Sequence, residues 1–523
     1  MPLLHVCYQW RRSASGDSSL WTTFYLSDIT PPLLNMILTY AGKRLLKVSI
    51  NVREVDPKAR LWKFIDRIEE LECWFGTVSN LSFLASLGPA SNLKVFQLQD
   101  GLENAIWGPQ LELPRIFRGD LPVLREVRLK TSVTCPTGLF KNLRTFELGD
   151  DTENPFSPTH VLDVLRESPS LENLNLVGCC HPSDDELPAV ALPSLENCTL
   201  AGNGAVSLIW HLGVPASAKI LLTTSPPAVL GRVEFYPFPN LCLSPYFHTL
   251  DGVSTILFFI GPDEVEFKIP RNDSGGSLKI VVPYDINMIF GLIILTRLLG
   301  WPPDGSCCKF QTTKEFVLHI QRGTSPDDLE SVLSSSIFDR FISGLPSLER
   351  VELRGVPTRA LSYLLLALQG NQSTPYPNLQ RLDVESTPLR SPRTILGDLD
   401  RLIKWRKYLL GLPLQLVDAR VNCETLITIA EHSAFLMAWG GFVGEDVRVG
   451  YSRDKVENLT RRIPAFYFGG GENDAEDEEG SEEADVVEPG GSDLDWESWN
   501  LGQWPKAASE MKGAAVPITP DGT

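Results

Sequence analysis

The chain reads as an α/β fold in which short parallel strands alternate with helices along a solenoid. Three observations carry that expectation. Pro169–Leu176 has the form P-x-L-x-x-φ-x-φ, where φ is apolar, and so do Pro122–Leu129, Pro193–Leu200, Pro346–Leu353 and Pro377–Val384. The core L-x-x-φ-x-φ recurs without the proline at Leu93–Leu98 and Leu143–Leu148, with looser copies at Leu45–Ile50 and Ile68–Cys73. Neighbouring copies lie roughly 20–31 residues apart, the period of solenoids built from strand-containing units. Helix start signals fall between many of them. At 523 residues the chain exceeds what one compact core organises, a limit an array escapes because each unit packs only on the next.

Taken in order, Thr30–Pro31–Pro32 opens a helix with Leu33, Leu34, Ile37 and Leu38 on one face and Gly42 to stop it. Asp56–Pro57 opens a second carrying Leu61, Phe64, Ile65 and Ile68, and Ser325–Pro326–Asp327–Asp328 precedes a third carrying Leu329, Val332, Leu333, Ile337 and Phe341. Each has an N-cap oxygen, a proline at the first helical position and apolar residues at three-and-four spacing. Thr159–Ser168 and Val356–Gln369 read similarly. In the repeat itself the proline ends the preceding helix and cannot donate a ladder bond, so it suits a strand's entrance. The last two apolar residues are two apart and share one side of the strand, while their neighbours point to the other. Helix and strand in alternation imply parallel strands joined by crossovers. Between 205 and 320 the leucine template is lost, although Ile220–Leu222, Thr255–Ile260, Leu278–Val282 and Glu315–Ile320 read as strands; degenerate repeats and an insertion both fit.

The repeat resembles the leucine-rich-repeat family in its longer, irregular forms, which implies a horseshoe of parallel strands and helices. Cys179 and Asn203 each follow the first leucine of their copy by eight, the family's place for a polar residue that bonds backbone at the turn. Gly101, Asp151 and Val356 stand there in other copies, so the array is expected to be irregular. The first residues carry a second resemblance. Val6, Cys7, Trp10 and Arg11, followed by Leu20–Trp21, are similar to the second half of an F-box, V-C-x-x-W-R and then L-W. That resemblance implies a substrate receptor of an SCF-type ubiquitin ligase, with these six residues toward a Skp-type adaptor and, beyond it, a cullin. The family's first half, with its leading L-P and two helices, has no counterpart after Met1, so weak adaptor binding is expected.

The formal net charge is −18, and from Gly469 to Thr523 fifteen acidic residues against two lysines account for −13 of it, leaving −5 on the body. That body lacks the basic footprint of a nucleic-acid binder. No apolar run reaches the roughly 18–20 residues that span a bilayer, and Ile286–Thr296 is bounded by Asp285 and Arg297. Ten cysteines without a C-x-x-C are expected as reduced thiols, which places the chain in the cytoplasm or nucleus. No cationic start precedes an apolar core at the N-terminus, so no secretory signal is expected. The expected organisation is a partial F-box-like helical segment at 1–24, leucine-rich repeats at 25–204, the irregular block at 205–320, further repeats at 321–468, and a disordered acidic tail at 469–523.

No catalytic signature, metal site or cofactor motif is expected. There is no G-x-x-x-x-G-K-[ST], G-x-S-x-G or H-E-x-x-H. Cys179–Cys180–His181 and Cys307–Cys308 place adjacent cysteines side by side, a poor chelating spacing. Function is expected instead on the strand face that points away from the core, where alternation puts Gln97, Arg128, Lys130, Glu147, Asn173, Asn175, Thr199, Glu352, Arg354 and Asp383. Gln97, Arg128, Glu147, Asn175 and Thr199 are expected to form one polar column suited to a peptide or protein surface. In the tail, Trp496, Trp499 and Trp504 in a polar acidic segment read as a docking element. The readings are a ligase substrate receptor, a stand-alone repeat scaffold, or an enzyme assembled within 205–320. Each of the first two would be a monomer outside its complexes.

Overall fold

The computed structural model describes residues 8–52, 63–75, 82–100, 111–130, 133–136, 138–149, 158–178, 188–202, 208–224, 252–270, 275–283, 310, 312–321, 342, 344–369, 376–386, 392–410, 414–420 and 446–450. The helix expected from Ser325, the start of the one expected from Asp56, both cysteine clusters, and Trp496, Trp499 and Trp504 lie outside these residues. So do Val6 and Cys7. Where the Asp56 helix is expected to carry Phe64, Ile65 and Ile68 there is no α-helix: Ile65–Arg67 is a single 3-10 turn and Ile68 opens a strand, because the repeat spacing of Ile68, Leu71 and Cys73 wins.

Among the described residues seventeen strands form one sheet. The first nine are β1 (Thr23–Tyr25), β2 (Leu46–Asn51), β3 (Ile68–Phe75), β4 (Val95–Asp100), β5 (Glu126–Lys130), β6 (Thr145–Leu148), β7 (Asn173–Val177), β8 (Asn197–Ala201) and β9 (Lys219–Thr223). The remainder are β10 (Thr255–Ile260), β11 (Glu264–Pro270), β12 (Ser277–Pro283), β13 (Glu315–Ile320), β14 (Arg350–Val356), β15 (Arg381–Ser386), β16 (Leu416–Arg420) and β17 (Asp446–Gly450). From β1 to β9 each strand pairs in parallel with the next in sequence, and the same holds from β13 to β17. Every leucine-template copy, including the loose ones, supplies one of these strands. β16 and β17 were not legible as copies, because Ala419 closes one with a small side chain and Gly444 stands where the other would have its leucine.

The expectation of parallel strands throughout fails in one place. β9 pairs in parallel with β12, which runs antiparallel to β11, which runs antiparallel to β10, and β10 returns to a parallel pairing with β13. Loop length decides this. Three residues, 261–263, separate β10 from β11, and the Gly261 N–H donates to the Glu264 carbonyl at 2.8 Å. A parallel crossover needs about a dozen residues, so this connection can only be a hairpin. The block 205–320 therefore contributes its strands to the same sheet as the repeats.

One apolar cluster lies on the inward side of the sheet. Val48, Leu71, Phe96, Val127, Phe146, Leu174 and Cys198 form one inward row across β2–β8, all buried. The helices contribute their inner faces to the same cluster: α1 (Tyr8–Gly16) through Ala14, and α2 (Pro31–Ala41) through Leu34, Ile37 and Ala41. The short α3 (Ser82–Ser86) adds Phe83 and Leu84, and α4 (Pro158–Arg166) adds Val161, Leu162, Val164 and Leu165. Leu361, Leu364, Leu365 and Leu368 come from α5 (Thr358–Gln369), and Leu396, Leu399 and Ile403 from α6 (Pro392–Trp405). In α2 the prolines stand in the first two positions and Gly42 ends the helix at φ 59°, as expected, but the expected N-cap oxygen makes no bond: the Thr30 hydroxyl caps no N–H.

Strand exits explain glycines that the leucine template passes over. At Gly202, with φ +95°, a Cβ would lie 2.3 Å from the Gly178 carbonyl oxygen, and at Gly149, with φ +106°, 1.6 Å from that of Val177. Neighbouring strands approach too closely there for any side chain, and the left-handed backbone excludes one independently.

Candidate functional site

The outward face of the sheet is built by register. Gln97 pairs with Arg128, Arg128 with Glu147, Glu147 with Asn175, and Asn175 with Thr199. The five residues of the expected column are thus cross-strand neighbours. The column continues at both ends, backward through Glu72, Ser49 and Tyr25 and forward through Leu221, Lys279, Lys268, Leu257, Val317, Glu352, Asp383, Asp418 and Arg448. It crosses all seventeen strands without a break.

Side chains within the β5–β8 part of this face are tied to one another. Asn175 donates Nδ2 to Glu147 Oε1 at 3.1 Å, and Arg128 meets Glu126 at 2.5 Å and Glu147 at 3.6 Å. In the adjacent row Asn197 donates to Asn173 Oδ1 at 2.8 Å, and Asn173 donates in turn to Thr145 Oγ1 at 3.4 Å. Asn175 Oδ1 is buried without a hydrogen-bond partner, while Arg128 Nε faces the Glu147 carboxylate at ion-pair distance. Lys130 is exposed at the edge of this block, in register with Gln99.

The β13–β15 end behaves differently. Arg350 donates to Glu315 at 2.6 Å, Glu352 at 2.7 Å and Asp383 at 2.9 Å. Burial opposes its charge, but the bond to Asp383 and the fields of Asp383, Glu315 and Glu352 outweigh that and raise its pKa. Arg354 also pairs with Glu352, and Arg381 with Asp383 at 2.8 Å. Glu352, expected as an outward contact residue, is only 6% exposed because the two arginines lie over it. It holds arginines and offers a partner little surface. Three cations and three anions neutralise one another here, so the accessible chemistry is that of the exposed Arg354 and Arg381, with Asp383 largely covered.

Between these blocks sits a stretch that the leucine template reaches only at Val177 and Ala201. Leu221, Leu257 and Val317 occupy the column, and Val177, Ala201, Val281 and Phe259 the row beside it. Phe259 stands 5.7 Å from the His319 ring. Most of these residues lie in the block where the template fails; Leu221 joins the face through the pairing of β8 with β9, and Val281, Phe259, Leu257 and Val317 through the pairings of β9 with β12 and of β10 with β11 and β13.

At the N-terminal end Trp21 is 5% exposed, its ring 4.8 Å from Tyr40 and its Nε1 donating to the Ala14 carbonyl at 2.6 Å. It closes the end of the core and presents no surface to an adaptor, whereas Leu20 is 54% exposed. Trp10 and Arg11 lie on α1, whose backbone leads into this cap. Asp17 accepts from the Ser19 N–H at 2.9 Å and from its hydroxyl at 2.6 Å, and the Ser19 hydrogen bonds hold its pKa below the ordinary value.

Among the described residues no group of three or more His, Cys, Asp or Glu is arranged to hold a metal ion. Cys73, Cys135 and Cys198 are buried free thiols, and burial pushes Cys135 and Cys198 up to about 12. No described helix is long and apolar enough to cross a membrane. The sequence matches no protein-family model and no curated protein.

Proposed function

We propose that this chain is a leucine-rich-repeat receptor, a solenoid whose strand face binds a protein partner. One observation carries the reading: a single outward column crosses all seventeen strands, mostly polar, with Leu221, Leu257 and Val317 interleaved with Lys279 and Lys268 in its middle. Parallel neighbours lie ~4.8 Å apart, so such a column is an extended surface rather than a pocket for one small substrate. Protein interfaces mix apolar and polar surface in this way, with aromatic and arginine side chains among the contacts.

The bound protein is then a ligase substrate, delivered through a Skp-type adaptor and a cullin in the cytoplasm or nucleus. This part rests on Val6, Cys7, Trp10, Arg11, Leu20 and Trp21 and their likeness to an F-box. Photo-crosslinking residues placed at Thr199 on the strand face and at Tyr363 on α5 test the receptor reading in cells. Crosslinks to a discrete protein from Thr199 and not from Tyr363 are expected; the reverse pattern overturns it. Co-purification with a Skp-type adaptor tests the coupling, and Trp10→Ala is expected to weaken whatever binding is measured. Absence of adaptor binding together with position-specific crosslinks would leave a receptor without ligase coupling.

A further inference from the structure

We propose that the β1–β4 end of the strand face receives a lysine or arginine side chain of the protein partner, an inference that rests on the strand-face reading and narrows it. The face is concave there. A hollow of about 440 Å³ is lined by Tyr25, Lys47, Ser49, Glu70, Glu72 and Gln97 among others, within the ~300–1,000 Å³ of sites that hold small groups.

Charge selects the occupant. Glu70 is neutralised by Lys47 at 2.5 Å. Glu72 is not: it accepts from the Ser49 hydroxyl at 2.7 Å and the Gln99 amide at 3.0 Å, both neutral, and it has no cation at ion-pair distance among the described residues. The outward residues of β1–β4 thus carry a net charge of −1, held at one carboxylate. An ionised carboxylate offers about four acceptor sites, so about two remain for the donors of a cationic side chain.

Two outward aromatic residues stand near that carboxylate, one across the sheet and one along its own strand. Tyr25 stands in its own column, with Ser49 between. Trp74 is two residues along the same strand, outward and 37% exposed, and its indole makes no ring contact or hydrogen bond among the described residues. A cation held at Glu72 would have an exposed indole two residues along the strand, and indole is the best of the aromatic partners for a cation. An apolar side chain would strip water from Glu72 and return nothing to its charge, and an acidic one would be repelled.

The test uses the full chain and four pools of fluorescein-labelled random octapeptides, each with one fixed central residue: arginine, lysine, leucine or glutamate. Fluorescence anisotropy is expected to show the arginine pool binding about tenfold tighter than the leucine pool, with lysine between and glutamate weakest. Glu72→Gln keeps the shape and removes the charge, so it should abolish the preference at an unchanged melting temperature. Trp74→Ala should weaken the arginine pool about threefold. Leucine or glutamate pools that bind as well as arginine, a preference that survives Glu72→Gln, or no binding by any pool would each overturn the proposal. Asn175→Arg separates the two levels. If binding shows no cation preference but falls with Asn175→Arg, the strand face still binds and only the cation assignment is lost. If neither Asn175→Arg nor Trp74→Ala affects any pool, the strand-face reading falls as well.

Discussion

Leu174→Asp is the sharpest perturbation of the shared core. Leu174 is 2% exposed on β7, in register with Phe146 on one side and Cys198 on the other, both buried. Removing its side chain forfeits ~1.5–3 kcal/mol of apolar burial, and an unpaired carboxyl in its place adds a few kcal/mol, so a loss of about 5 kcal/mol is expected. That approaches the whole stability of many domains. Leu174→Ala, which only empties space, should cost ~2–5 kcal/mol. The next residue gives the control. Asn175→Ala removes one hydrogen bond to Glu147 at 3.1 Å together with an acceptor that has no partner, and should cost about 1 kcal/mol or less. Urea denaturation at pH 7 measures all three. The penalty from the introduced carboxyl should also depend on pH in a stated direction. Burial raises a carboxyl's folded pKa above its unfolded value of ~3.9, so the folded variant binds more protons above that value. Its deficit is full at pH above the raised pKa and shrinks as pH falls toward ~4. Equal losses from Leu174→Asp and Asn175→Ala would refute the strand register and the repeat reading built on it.

Gly202→Ala should destabilise by about 3 kcal/mol or more, because φ +95° and a carbonyl oxygen 2.3 Å away both exclude a Cβ, whereas Gly16→Ala, in open space, should be neutral or better; thermal melts compare them. Arg406 is fully buried and donates to the carbonyls of Tyr376 at 3.0 Å and Leu379 at 2.8 Å. Burial lowers its pKa to about 10, so it is charged at neutral pH; Arg406→Met should cost ~1–3 kcal/mol in urea melts by removing the guanidinium bond to Leu379 and leaving the Tyr376 carbonyl only the Leu379 N–H. Cys135 and Cys198, pushed up to about 12 by burial, should resist iodoacetamide at pH 8 in the native chain and react once it is unfolded, read by mass spectrometry.

What the sequence determined by itself is local. Two apolar residues two apart, preceded by a leucine and often a proline, specify a strand with one buried side wherever they occur. The inward rows, the parallel pairing of successive copies and the column from Gln97 to Thr199 follow from that period alone. Prolines and Gly42 set the bounds of α2 in the same local way. Tertiary structure decided everything that depends on which strands become neighbours. The reversal of β10, β11 and β12 turns on a three-residue connection, and it carries Leu257 and Val317 onto the column although their sequence lost the template. Alternation pointed Glu352 outward, yet Arg350 and Arg354 cover it, because long side chains on the same strand fold over a shorter acidic one. Glu72 and Trp74 lie in a copy too loose to rank as a site, and their meaning comes from Ser49, Gln99 and Tyr25 on three other strands. A period in the chain fixes which way a residue points; only packing fixes what it faces, since that depends on residues far away in sequence.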